Sequence, residues 1–279
     1  MINRRNKYHW PLLVLLLLVT LSCRAEQIDP VDTGEKETKS EDPNIWIFLM
    51  AGQSNMAGRG GIELQDLVSN ERIIAINSRN QWVGAKEPLH FYEPNAAGLD
   101  CGMSFAQELL AKVPDSVTIA LVPCAVGGSS VFQWVDNEEH RGVALLSNFY
   151  QKVALARKKG VIKGIIWHQG ESNANAGDLP NYSDALLGVF TKFRVAVTND
   201  DLPIVMGELG RFARPEEKAA YFDDINTILA QIEEGDDSLF LVSSEGLDHR
   251  GDNLHFNSAA QRELGKRYAE VMIQQLISE

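Results

Sequence analysis

Short apolar blocks alternate with amphipathic stretches along most of this chain. Residues 45–50, 72–76, 117–122, 163–167 and 202–206, with a shorter block at 239–243, have the length and composition of buried strands. Between them, residues 103–112, 145–159, 182–198 and 216–233 carry helical spacing. A last helix is predicted over 258–276, where Leu264, Tyr268, Val271, Met272 and Leu276 recur at helical intervals. Strand–helix alternation with short joints predicts an α/β protein with a doubly wound, three-layer α/β/α arrangement. Its central sheet is expected to be mostly parallel, with about five strands. No repeat or mid-chain linker interrupts the pattern, so residues 44–279 read as one domain.

The amino-terminal pattern is of another kind. Asn3-Arg4-Arg5-Asn6-Lys7 is basic, and residues 12–21 form an apolar run broken only by Thr20. About ten such residues fall short of the ~20 that a membrane-spanning helix needs. Residues 1–23 therefore read as an export signal. Ser22-Cys23 resembles the lipobox of bacterial lipoproteins, in which Cys23 becomes the acylated terminus. Cleavage after Ala25, giving a secreted soluble protein, is the alternative. The expected location is the bacterial cell envelope, with lipid at Cys23 as the membrane attachment. Residues 24–43 are rich in Asp, Glu, Lys and Thr and poor in large apolar side chains, so burial cannot offset their ordering entropy. A flexible tether is expected there.

Charge and cysteine content narrow the function. A formal net charge of −12 over 279 residues argues against nucleic acid and anionic lipid surfaces as partners. Cys101 and Cys124 lack metal-ligand spacing with another Cys or His. In an exported protein they are compatible with a disulfide or with two buried thiols.

Four polar segments stand at predicted strand ends or helix starts, where open α/β sheets place their ligand sites. They are Gly52-Gln53-Ser54-Asn55, Gly127-Gly128-Ser129-Ser130, His168-Gln169-Gly170-Glu171-Ser172-Asn173 and Gly251-Asp252-Asn253-Leu254-His255. A serine nucleophile needs an imidazole base, and the imidazole needs a carboxylate to hold its tautomer. Ser54, His255 and Asp252 supply these groups. Paired glycines at 127 and 128 leave backbone amides open to close approach by a ligand. Gln53 and Asn55 are candidate substrate contacts. Trp134 suits either a sugar face or the core.

The motifs Gly-Gln-Ser-Asn-Met, Gly-Gly-Ser, His-Gln-Gly-Glu-Ser and Asp-x-x-His, in that order, resemble the SGNH hydrolase superfamily. More narrowly they resemble its sialate O-acetylesterase and acetylxylan esterase branch, carbohydrate esterase family six. The resemblance implies a flavodoxin-like SGNH fold and a serine carboxylic ester hydrolase acting on an acetylated carbohydrate, with no metal or organic cofactor. Carried over by motif, Ser54 is the nucleophile, His255 the base and Asp252 its partner. The oxyanion hole is the amides of Ser54 and Gly128 with the side chain of Gln169. Glu171 shares or divides the acid role with Asp252. Acetylxylan-like substrates are favoured, with O-acetyl sialic acid as the alternative. A catalytically inactive, glycan-binding surface lipoprotein is the competing class.

Overall fold

The computed structural model describes residues 42–277. The signal expected over 1–23, Cys23, and most of the predicted tether lie outside them. Strand β1 (Asp42–Gly52) begins two residues before the expected boundary, because Asp42 pairs with Gly160. After it come α1 (Ser54–Ala57), β2 (Ile73–Ile76), β3 (Trp82–Gly84), α2 (Gly102–Leu110), β4 (Thr118–Pro123) and α3 (Val131–Val135). A two-stranded hairpin, β5 (Glu139–His140) and β6 (Val143–Ala144), leads into α4 (Leu145–Arg157). The chain then alternates through β7 (Gly160–His168), α5 (Leu179–Val197), β8 (Ile204–Gly207), α6 (Glu216–Glu234) and β9 (Leu239–Val242), and α7 (Ser258–Ile277) follows.

The main sheet has seven strands in the order β3-β2-β4-β1-β7-β8-β9, two more than the sequence pattern suggests. All neighbours are parallel except β3, which pairs antiparallel to β2 through Ala75–Val83. An edge strand of three residues buries too little to leave a periodic signature; Val83 is exposed.

Period-two alternation along β1 assigns its side chains to two cores. Ile47, Leu49 and Ala51 face one side with Trp134, Phe149, Phe190, Phe193 and Phe222, from α3, α4, α5 and α6. Phe48 and Met50 face the other with Phe105, Leu109, Leu264, Tyr268 and Met272, from α2 and α7. The three-layer arrangement follows. Cys101 and Cys124 are both free and buried, and they belong to opposite cores, so the sheet separates the two thiols. Burial pushes the Cys124 thiol up to about 12 and that of Cys101 well above its ordinary value.

Aromatic rings fill the larger core. Phe193 stacks on Phe149 at a centroid distance of 3.8 Å and meets Trp134 and Trp167 edge-on at 5.8 and 5.9 Å. Trp134 is fully buried and donates its Nε1–H to Ser129 Oγ at 2.9 Å. It is a core residue with no ring face on solvent, which excludes the sugar-stacking role. Phe193→Ala leaves a cavity that these rigid rings cannot close. It is expected to lower unfolding free energy by roughly 3–5 kcal/mol, measured as a lower urea midpoint with unchanged denaturant slope.

Candidate active site

The central position of β1 decides where the polar loops meet. Parallel strands β4, β1 and β7 end together, Met50 beside Pro123 and Gly52 beside His168. The exits are stitched by backbone bonds from Gln53 N–H to His168 O (2.9 Å) and from Val126 N–H to Gly52 O (3.2 Å). The loops after these three strands, with the segment before α7, enclose an open cleft of about 450 Å³. Gln53, Ser54, Gly128, Glu171 and His255 all line it.

Ser54, His255 and Asp252 form a continuous hydrogen-bonded chain. The His255 Nδ1–H donates to Asp252 Oδ2 at 2.8 Å, leaving Nε2 to accept from Ser54 Oγ–H at 3.0 Å. Asp252 Oδ1 accepts the N–H groups of Leu254 (3.0 Å) and His255 (2.8 Å). Burial pulls the Asp252 carboxyl upward, but these donors and the His255 ring outweigh it and hold it at about 2. The loop is braced from behind: His249 Nδ1 accepts from Gly251 N–H and Asn253 N–H, and Arg250 Nη1–H donates to Arg59 O.

Two residues proposed as direct participants stand behind the cleft instead. Asn55 is fully buried. Its Nδ2–H groups donate to Glu171 Oε1 (2.5 Å) and Leu254 O (3.1 Å), and its Oδ1 accepts from Phe256 N–H (3.1 Å). It therefore clasps the backbone on both sides of His255 and is not a substrate contact. Gln169 is also fully buried. Its Nε2–H groups are taken up by Asn173 Oδ1 (2.6 Å), Gln53 Oε1 and Ser129 O (both 3.2 Å), and its Oε1 accepts from Tyr182. No N–H of that side chain is left for an oxyanion. A motif places a residue at a strand end; whether its side chain turns into the cleft or under it depends on the neighbouring loops.

Gln53, and not Gln169, lines the cleft. Its Oε1 is occupied by Gln169 and by Ser172 N–H (3.3 Å), and its Nε2–H groups have no acceptor among the described residues. The amides of Ser54 and Gly128, also on the cleft, have no protein acceptor among the described residues.

Glu171 makes no hydrogen bond to His255, whose carboxylate partner is Asp252 alone, so the acid role shared with Asp252 is not seen. Its Oε1 accepts from Asn55, its Oε2 has no partner among the described residues, and burial raises its pKa. His168 Nε2 lies 3.7 Å from Glu171, but burial pushes His168 down to about 3, so this is a contact with a neutral ring. The His168 Nδ1–H donates to Tyr268, whose hydroxyl donates to Trp167 O.

Sequence patterns missed the charged rim. Arg59, Glu93, Arg141 and Lys218 line the cleft. Glu93 accepts from Arg59 (2.7 Å), Arg141 and Gly127 N–H (2.6 Å). Burial raises the Glu93 carboxyl, but Arg59 and the other donors more than offset this and keep it below the usual range. Arg59, directly after Gly58 in the Ser54 segment, was the one with a local signal. The others converge from distant loops.

The model of the family described as carbohydrate esterase, sialic acid-specific acetylesterase, matches residues 44–274. The chain is 29% identical over 256 residues to a probable carbohydrate esterase of Arabidopsis thaliana, covering 85% of this chain and 94% of that protein. The X-ray structure of the Arabidopsis protein has a TM-score of 0.73 at 28% identity, over 84% of this chain and 99% of that one. NanS shares the fold, with a TM-score of 0.68 at 18% identity, over 86% of this chain and 99% of that one. So does a carbohydrate acetylesterase from Xanthomonas citri, with a TM-score of 0.61 at 17% identity, over 85% and 57%. The match along nearly all of the described fold places the chain in the carbohydrate esterase, sialic acid-specific acetylesterase family, among the carboxylic ester hydrolases.

Proposed function

We propose that this protein hydrolyses acetyl esters on a carbohydrate with Ser54 as nucleophile. The observation that carries the proposal is the unbroken chain Ser54–His255–Asp252, with bonds of 3.0 and 2.8 Å, on an open cleft. Ser54 Oγ attacks the acetyl carbonyl carbon while His255 Nε2 takes the hydroxyl proton. The resulting oxyanion is received by the amides of Ser54 and Gly128 and by Gln53 Nε2. Collapse expels the sugar oxygen, which takes the proton from His255, and leaves acetyl-Ser54. Water then gives its proton to His255 and attacks the acetyl carbon; acetate leaves and Ser54 regains its proton. An inactive glycan-binding protein would have no reason to keep all of these groups in register.

The rim bears on the choice of sugar. The preference for acetylxylan-like substrates rests on resemblance alone. Arg141 and Lys218 on the cleft, in a chain of net charge −12, favour a sugar that carries its own carboxylate, such as O-acetyl sialic acid. Export and anchoring at Cys23 would set this activity in the cell envelope.

Ser54→Ala is expected to abolish acetate release and labelling by an organophosphonate while leaving the urea midpoint unchanged. Asp252→Asn should lower kcat by about 10⁴-fold, because the imidazole loses the partner that holds its tautomer. Its stability effect has a definite pH signature. The folded carboxyl is depressed from 3.8 to about 2, so the stabilisation is complete above pH 3.8 and is lost as pH falls through about 2. Urea titrations of the wild type and Asp252→Asn should therefore converge on acidification. Lys218→Met should raise KM for O-acetyl sialic acid by roughly 2–5-fold, the worth of one exposed ion pair. KM for acetylated xylan and p-nitrophenyl acetate should not change.

A further inference from the structure

The Gly127–Gly128 peptide presents to the cleft an amide that the hydrolytic reading uses, and two side chains from outside its own loop, Glu93 and His140, bond to that turn. Gly128 has φ +76°, a left-handed conformation that favours glycine. Gly127 has no room for a side chain: an added Cβ would collide with the Arg59 guanidinium and the Glu93 carboxylate. The N–H of Gly127 donates to Glu93 Oε2 at 2.6 Å and is already taken up. Its carbonyl oxygen lies 3.0 Å from His140 Nε2. A carbonyl oxygen only accepts, so His140 Nε2 carries the proton and donates it. The carbonyl and the Gly128 N–H belong to one planar peptide unit and point in opposite directions. A donor fixed on the oxygen therefore sets the direction of the N–H across that plane. It also draws electron density away from the nitrogen, which makes the N–H a stronger donor.

We infer that His140 is a positioning residue for the reaction: by donating to Gly127 O, it aims the Gly128 amide at the developing oxyanion and strengthens it. His140 belongs to the β5–β6 hairpin, outside every motif that carries the family resemblance. Arg141, next in the hairpin, holds Glu93 from the other side. The hairpin thus fastens both peptide units that flank Gly127. The inference rests on the proposed role of the Gly128 amide. It adds a second layer: the oxyanion hole is held in working geometry by a hairpin histidine that is not among the residues lining the cleft.

The size of the effect separates this role from that of a direct donor. Removing an oxyanion donor costs about 10²–10³-fold in kcat. Loss of His140 leaves the Gly128 amide in place and removes one hydrogen bond behind it. The expected loss in kcat is roughly 3–10-fold, the worth of a single neutral hydrogen bond. The test compares His140→Phe, which keeps a ring but no donor, with His140→Gln, which restores an N–H. Both are assayed with p-nitrophenyl acetate beside the wild type and Ser54→Ala. Expected are a fall in kcat at constant KM for His140→Phe, a parallel fall in its organophosphonate labelling rate, an unchanged urea midpoint, and recovery in His140→Gln. Wild-type kcat in His140→Phe overturns the inference. So does a loss shared equally by both variants, a change confined to KM, or a fall in the urea midpoint that tracks activity. Activity retained by Ser54→Ala would instead overturn the hydrolytic reading itself.

Discussion

The site depends on one packing constraint: β1 is buried on both faces and bonded on both edges by parallel neighbours. Parallel strands finish on the same side of a sheet, so the chains leaving β4, β1 and β7 must emerge side by side. Each must also satisfy its departing backbone groups away from water. Bonds from Cys124 N–H to Met50 O, Val126 N–H to Gly52 O and Gln53 N–H to His168 O do this. The same bonds bring Ser54, Gly128 and Glu171 to one cleft. Position on the sheet, more than any local preference of the serine segment, makes Ser54 available for chemistry.

Around the cleft and in the layer of buried polar side chains behind it, charge is suppressed where few partners are supplied and kept where several are. Glu171 is raised and His168 lowered by burial, each with few partners. Asp252 and Glu93 also feel burial, yet several N–H donors or guanidinium groups outweigh it. The sorting follows the cost of an unpaired buried charge, which is large unless hydrogen bonds are supplied with it. The neutral layer serves geometry: Asn55 clasps the His255 loop, and Gln169 holds Gln53 and Ser129. Two glutamines from different motifs thus divide one task, Gln169 as support and Gln53 as the group facing the cleft.

Much of the fold was legible because burial leaves periodic signals. The strand around residues 45–50 and the helices from Leu145, Glu216 and Ser258 stand close to where the hydrophobic pattern places them. Strand β3 and the β5–β6 hairpin were not legible, since two or three residues at an exposed edge carry no such period. At the site, the motifs identified the four loops that carry the proposed chemistry, yet misjudged which side chains face the cleft. Trp134, Asn55 and Gln169 are each fully buried. Glu93, Arg141 and Lys218 reach the rim from segments with no motif at all.

The amino-acid sequence by itself determined the layered α/β class, the family, and the four segments that supply the chemistry. It could do so because each is written in local order: alternating apolar runs, glycines beside polar residues, and the spacing of Asp252 and His255. The tertiary structure alone decided the direction of each side chain within those segments. Only there do Ser54 and His255, 201 residues apart, come within a hydrogen bond. Only there does a histidine on an unremarked hairpin meet the carbonyl of Gly127. Direction is set by which neighbour satisfies a polar group, and those neighbours are distant in sequence.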